Sequence, residues 1–199
     1  FFYKIACNLN NFKLRQICVF SIKKNMEIKK NIALIGMMGS GKSTIGSLLA
    51  KKLGGVLIDI DKKIEKIENQ KISQIFELKG EAYFRELEFN VTIQSLKNNN
   101  KIISLGGGAF MNQELRKIIK QKSKTFWLYW NADTLIKRIK NNDKRPVVKN
   151  MNHIEIKKLI SERNKIYYFS DFKIICESLK KAEIVDKIFQ KCKKNEIIS

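Results

Sequence analysis

The sequence predicts an α/β fold in which a parallel sheet is covered by helices on both faces. Two observations predict it. From Ile28 onward, short apolar runs alternate with helix-like segments, the pattern of successive βαβ units. One of those runs leads into a loop of small residues and then a helix, in the stretch ALIGMMGSGKST at 33–44. A chain of 199 residues with 44% apolar residues can bury the core that such a fold needs.

The elements follow in order. Asn31–Ile35 is a short strand. Thr44–Leu53 is a helix with Ile45, Leu48 and Leu49 on one side. Val56–Ile60 is a second strand. Ser73 caps a short helix through Leu78, and Glu81–Leu96 forms a longer one. Ile102–Leu105 is a third strand, closed by three glycines. Asn112 caps a helix through Lys120. Thr125–Trp130 is a fourth strand, with Trp127 and Trp130 assigned to the core or to helix packing. Asp133–Lys140 begins another helix. A polar loop leads to a helix around Ile154–Tyr168, a strand at Phe172–Cys176 and a last helix over Ala182–Lys191. Right-handed crossovers place the C-terminal ends of the strands along one edge, where ligands bind.

The net charge of +21 raises the question of a nucleic-acid partner. Thirty-four of the 40 basic residues are lysine, however, and they are scattered through a chain also rich in Asn and Ile. A solvated basic surface is the expected meaning, with neither nucleic acid nor membrane as partner. The six arginines stand out against that background. In a chain that uses lysine by default, an arginine marks a position that calls for a planar, bidentate guanidinium.

Cys7, Cys18, Cys176 and Cys192 are far apart and form no C-x-x-C pair, so nothing suggests a disulfide framework or a zinc site. They are expected to be thiols in a reducing cytosol. His153 reads as a solvent-facing or helix-start residue. Residues 1–25 carry five basic residues and no acid, without a signal-peptide pattern. They are expected to form a basic extension outside a single domain over 26–199. No apolar run approaches bilayer-spanning length, so a soluble cytoplasmic chain is expected.

The loop fits G-x-x-x-x-G-K-[ST] through Gly36, Gly41, Lys42 and Ser43, between a strand and a helix. Gly36, Gly39 and Gly41 let the backbone turn and aim successive N–H groups inward. The helix N-terminus adds its positive end. Lys42 reaches the β- and γ-phosphates and the Ser43 hydroxyl ligates Mg²⁺. The loop therefore holds a nucleoside triphosphate through Gly39, Ser40, Gly41, Lys42, Ser43 and Thr44.

The remaining motifs concern an acceptor. Asp59-Ile60-Asp61 ends the second strand, where alternation aims both carboxylates toward the phosphates. One can hold a Mg²⁺-bound water and the other can accept a proton from an attacking hydroxyl. Gly106-Gly107-Gly108 permits close approach of a ligand to the backbone. Arg145 precedes Pro146, the only proline, in a polar loop that can act as a lid and place an arginine on the transferring phosphate. Arg85 and Arg163 are two basic forks suited to a carboxylate on the acceptor.

Together GMMGSGKST, the D-I-D pair, FRELE, the glycine triplet, the R-P loop and RNKIY resemble shikimate kinases in order and spacing, over roughly Lys30 to Lys191. The resemblance implies a P-loop NTPase fold of the nucleoside-monophosphate-kinase-like kind. That is a three-layer α/β sandwich with a five-stranded parallel sheet, substrate-binding helices and a lid at about 141–152. It implies transfer of the ATP γ-phosphate to the 3-hydroxyl of shikimate, with Mg²⁺, by a monomer in aromatic amino-acid biosynthesis. By position, Lys42, Asp61 and Arg145 would be catalytic. Ser43 and Asp59 would serve the metal, and Arg138 would stack on adenine. Asp61, Arg85, Gly106, Gly107, Gly108 and Arg163 would bind shikimate. Two departures stand out: residues 1–25 have no counterpart, and 177–182 lacks the proline often found near the adenine.

Four rivals make different demands, one of them a non-catalytic paralogue that senses metabolites, against which the intact Lys42, Ser43, Asp61 and Arg145 argue. A gluconate kinase would not be expected to carry F-R and G-G-G in this arrangement. A nucleoside monophosphate kinase needs a pocket for a second base. A nucleic-acid-bound ATPase would show steep salt dependence.

Overall fold

The computed structural model describes residues 27–140, 148 and 151–199. Residues 1–26, which include Cys7 and Cys18, lie outside the described residues, as do Arg145 and Pro146 of the expected lid.

Five parallel strands form one sheet in the order β2-β3-β1-β4-β5. They are β1 (Asn31–Ile35), β2 (Val56–Asp59), β3 (Lys101–Ser104), β4 (Ser123–Tyr129) and β5 (Phe172–Ile175). The central strand β1 is buried at all five positions, flanked by β3 and β4. A parallel sheet covered on both faces needs such a strand, which explains why NIALI has no polar alternation.

The helices are α1 (Lys42–Leu53), α2 (Ile60–Glu68), α3 (Ile72–Ser95), α4 (Gln113–Lys122), α5 (Ala132–Lys140), α6 (His153–Tyr167) and α7 (Lys181–Lys194). They complete the expected three-layer sandwich. Asn112 caps α4 by accepting from the Leu115 N–H at 2.9 Å, as its position predicts. Asn152 caps α6 in the same way, so exposed His153 is the first residue of a helix. Trp127 and Trp130 are buried. Cys176 and Cys192 are buried free thiols, and burial pushes both up to about 12.

Three local expectations are corrected. The second strand stops at Asp59, because Asp59 is an N-cap: its Oδ1 accepts from the Lys62 N–H at 3.2 Å. Ile60 therefore opens α2, a helix absent from the sequence reading, and Asp61 sits in its first turn. The third concerns Ser73, which does not cap α3. That helix starts at Ile72 with Lys71 as its N-cap, and the Gln74 side chain accepts from the Lys71 N–H at 2.9 Å. Within α3 the two helices expected on either side of residue 80 are both present, divided at Gly80 by a non-helical φ of 80° and ψ of 171°.

The first and last described residues pair. Ile28 bridges Ile198 antiparallel, and the Ser199 N–H donates to Glu27 at 3.1 Å. Among the described residues no helix is long and apolar enough to cross a membrane.

Candidate active site

Two cavities adjoin at the C-terminal edge of the sheet. The first, of about 370 Å³, is built by the loop between β1 and α1 and is lined by Gly39, Gly41, Lys42 and Ser43, with Asp61 and Arg138. The loop reaches α1 through Gly41 at φ 88°, a left-handed conformation that glycine adopts without strain. Lys42 is buried and donates to the carbonyls of Gly36 at 2.8 Å and Met37 at 3.0 Å. Its ammonium is thereby held across the loop. Thr44 also lines this cavity. Ser40 does not: its side chain is buried, with Oγ 3.2 Å from where a Cβ on Gly36 would stand.

The residues present fit a hard cation. Ser43 Oγ lies 3.5 Å from Ser104 Oγ, and Ser104 is the register partner of Asp59 on β2. Asp59 Oδ2 is buried without a hydrogen-bond partner among the described residues. Among those residues no group of three His, Cys, Asp or Glu could hold a metal alone. The orphaned Asp59 oxygen and the two hydroxyls are hard oxygen donors of the kind that Mg²⁺ takes beside its waters.

The second cavity, of about 450 Å³, is lined by Arg85, Glu88, Gly108 and Arg163, with Leu159 and Ile166. The predicted pair of guanidinium forks thus reaches one chamber, from α3 and α6. Arg163 is buried and sets Nη1 3.6 Å from Met37 Sδ. Arg85 donates through Nη1 to Glu88 at 2.7 Å, and through Nε and Nη2 to Glu81 at 3.1 and 2.9 Å. Burial alone would lower its pKa, but the two carboxylates raise it. Glu88 is 2% exposed, and burial raises its pKa despite Arg85 beside it.

The glycine triplet lies between the chambers, and its three members serve different neighbours. A Cβ at Gly106 would stand 2.0 Å from Glu88 Oε1 and 2.9 Å from Asp61 Oδ1. One at Gly108 would stand 2.4 Å from Arg85 Nη1. One at Gly107 would meet the Met38 nitrogen at 3.3 Å and Arg163 Nη1 at 3.4 Å. What the triplet accommodates in this structure is the close approach of the site's own side chains. Tyr167 fastens it from below, donating its hydroxyl to the Gly107 carbonyl at 2.5 Å.

Arg138, on α5, lies against the Trp130 ring, with Cζ 3.7 Å from the centroid. Sequence reasoning missed Glu88, Ser104, Tyr167 and this role of Trp130. Of these Glu88 and Tyr167 stood within quoted motifs, FRELE and RNKIY, where an acid on a helix reads as solvated and a tyrosine as packing.

A phosphate-cradling loop opening a helix at the edge of a parallel sheet, beside a cavity with two arginines, defines a P-loop kinase of small molecules. The sequence profile of the shikimate kinase family matches residues 38–193, and the chain belongs to that family. A shikimate kinase of Persephonella marina is 43% identical over 159 residues, covering 80% of this chain and 96% of its own. The shikimate kinase of Acinetobacter baumannii, solved in complex with shikimate, superposes with a TM-score of 0.79 at 28% identity, over 83% of this chain and 94% of that one. The Aquifex aeolicus shikimate kinase structure gives a TM-score of 0.74 at 37% identity, over 84% of this chain and 98% of that one.

Proposed function

We propose that the chain transfers the γ-phosphoryl group of ATP to the 3-hydroxyl of shikimate, giving shikimate 3-phosphate and ADP. The observation that carries this reading is the placement of Arg85 and Arg163 in one chamber beside the phosphate loop, with the glycine triplet between. Two forks in one chamber suit a planar carboxylate.

In this reading the loop N–H groups and Lys42 hold the triphosphate. Ser43 and a water on Asp59 would hold Mg²⁺, which would supply neutralisation of charge on the phosphate oxygens. Asp61 orients the acceptor hydroxyl and takes its proton as the new O–P bond forms and the bond to ADP breaks. Arg85 and Arg163 clamp the shikimate carboxylate, and Gly106, Gly107 and Gly108 give the ring access to the backbone. Ser40 contributes through its backbone, because its side chain is buried and does not line the cavity. Arg138 offers the face not covered by Trp130 to adenine, and Arg145 closes on the phosphates from the lid at about 141–152.

The reading also includes one domain over 26–199 preceded by a basic extension. The pairing of Ile28 with Ile198 supports a boundary near Met26. It includes action as a cytoplasmic monomer with no nucleic-acid or membrane partner. Gel filtration and an ADP-release assay with shikimate, with and without added DNA, test these points together. ADP formation that requires DNA would overturn them.

A further inference from the structure

We propose that Trp130 is a positioning residue for the nucleotide, acting through the phosphate loop and through Arg138. The inference rests on the reading that the loop binds ATP. Trp130 follows the last residue of β4 and is 8% exposed. Its indole N–H donates to the Ser40 carbonyl at 3.0 Å, across 90 residues of chain. Its ring carries the Arg138 guanidinium 3.7 Å from the centroid. Arg138 Nη1 in turn lies 3.4 Å from the Gly39 carbonyl. One side chain therefore holds the loop directly and also through its neighbour.

The direction of the first bond matters. The described backbone has no cis peptide, so the Ser40 carbonyl and the Gly41 N–H point opposite ways from one planar unit. Fixing the carbonyl on Trp130 fixes the plane of that peptide, and with it the direction of the N–H of Gly41, a residue that lines the phosphate cavity. The second contact restrains a long, rotamer-rich side chain before any ligand arrives. A guanidinium already stacked on one face has its other face ready for a planar base, and less freedom is lost on binding. Filling space in the core would require neither the N–H nor an arginine on the ring.

The test uses the full chain with Mg-ATP and shikimate, together with calorimetric binding of ADP. Trp130→Phe keeps a ring for Arg138 and removes the N–H. The loss of one buried neutral hydrogen bond corresponds to about fivefold in affinity. The Kd for ADP and the KM for ATP should rise by about that factor, while kcat and the KM for shikimate stay within twofold. Trp130→Leu should raise the Kd for ADP further, and should add less when Arg138 is already alanine. An unchanged Kd for ADP in Trp130→Phe would overturn the proposal, as would an equal rise in both KM values. If Trp130→Phe does not fold, a benzothienylalanine at 130 replaces only the N–H by sulfur in the same shape, and the same readings apply. Wild-type chain that binds ADP but releases none from ATP with shikimate would instead overturn the proposed acceptor and leave the Trp130 test standing.

Discussion

Gly108→Ala separates the role of the acceptor clamp from the stability of the fold. The added methyl would stand 2.4 Å from Nη1, 2.7 Å from Cζ and 2.8 Å from Nη2 of Arg85. Such atoms rest comfortably at about 3.5 Å, so the guanidinium must retreat by about 1 Å. Gly108 has φ −99°, which alanine adopts without strain. The obstacle is the far end of a flexible side chain, so Arg85 yields and the fold survives. Its retreat loosens the 2.7 Å bond to Glu88 and moves the fork away from the acceptor. A misplacement of about 1 Å costs about 10²-fold in rate, or about 2.7 kcal/mol of transition-state stabilisation. ADP release measured against shikimate and ATP in turn should show kcat/KM for shikimate down about 100-fold and the KM for ATP within twofold. A kcat/KM for shikimate within threefold of wild type would refute the reasoning, and equal losses toward both substrates would point to general distortion.

Lys42→Ala should nearly abolish turnover while circular dichroism stays that of the wild type; a near-normal rate would remove the loop from the mechanism. Arg85→Lys should weaken shikimate binding more than ATP binding, since an ammonium cannot reproduce the fork that now spans Glu81 and Glu88. Equal effects on both substrates would make Arg85 structural. Glu88→Gln tests the buried acid through pH. Burial raises the Glu88 pKa above its usual 4.5, so its contribution is full below that value and is lost as pH rises through the elevated one. In urea unfolding, the wild type should therefore lose stability relative to Glu88→Gln as the pH rises above 4.5. The opposite trend would mean that the arginines hold Glu88 ionised in spite of burial.

Much of this architecture was legible because local pattern and tertiary burial agree. NIALI reads as a central parallel strand because nothing in it needs water, and the phosphate loop reads as one because its glycines and Lys42 leave few alternatives. The scarcity of arginine in a lysine-rich chain pointed to Arg85 and Arg163, and the structure brings both to one chamber. The second helix was hidden by its own cap. VLIDI continues as a strand by apolar content, and only the bond from the Lys62 N–H to Asp59 shows that the chain has already turned. Its buried face at Ile60 and Ile64 lies among lysines. Glu88 was hidden for another reason: an acid in FRELE looks solvated until α3 is laid against Gly106, where no side chain intervenes. Trp130 was assigned to packing, and it does pack; its bond to Ser40 joins residues too distant in sequence for any local pattern to link them.

The central claim is the acceptor, and ADP release by the purified chain with Mg-ATP tests it most directly. Shikimate, gluconate, single-stranded DNA and no acceptor are compared side by side. The account predicts ADP in stoichiometric amount with shikimate and only background with the other three. Background release with shikimate would contradict the acceptor assignment, and stimulation by DNA would restore the meaning denied here to the charge of +21.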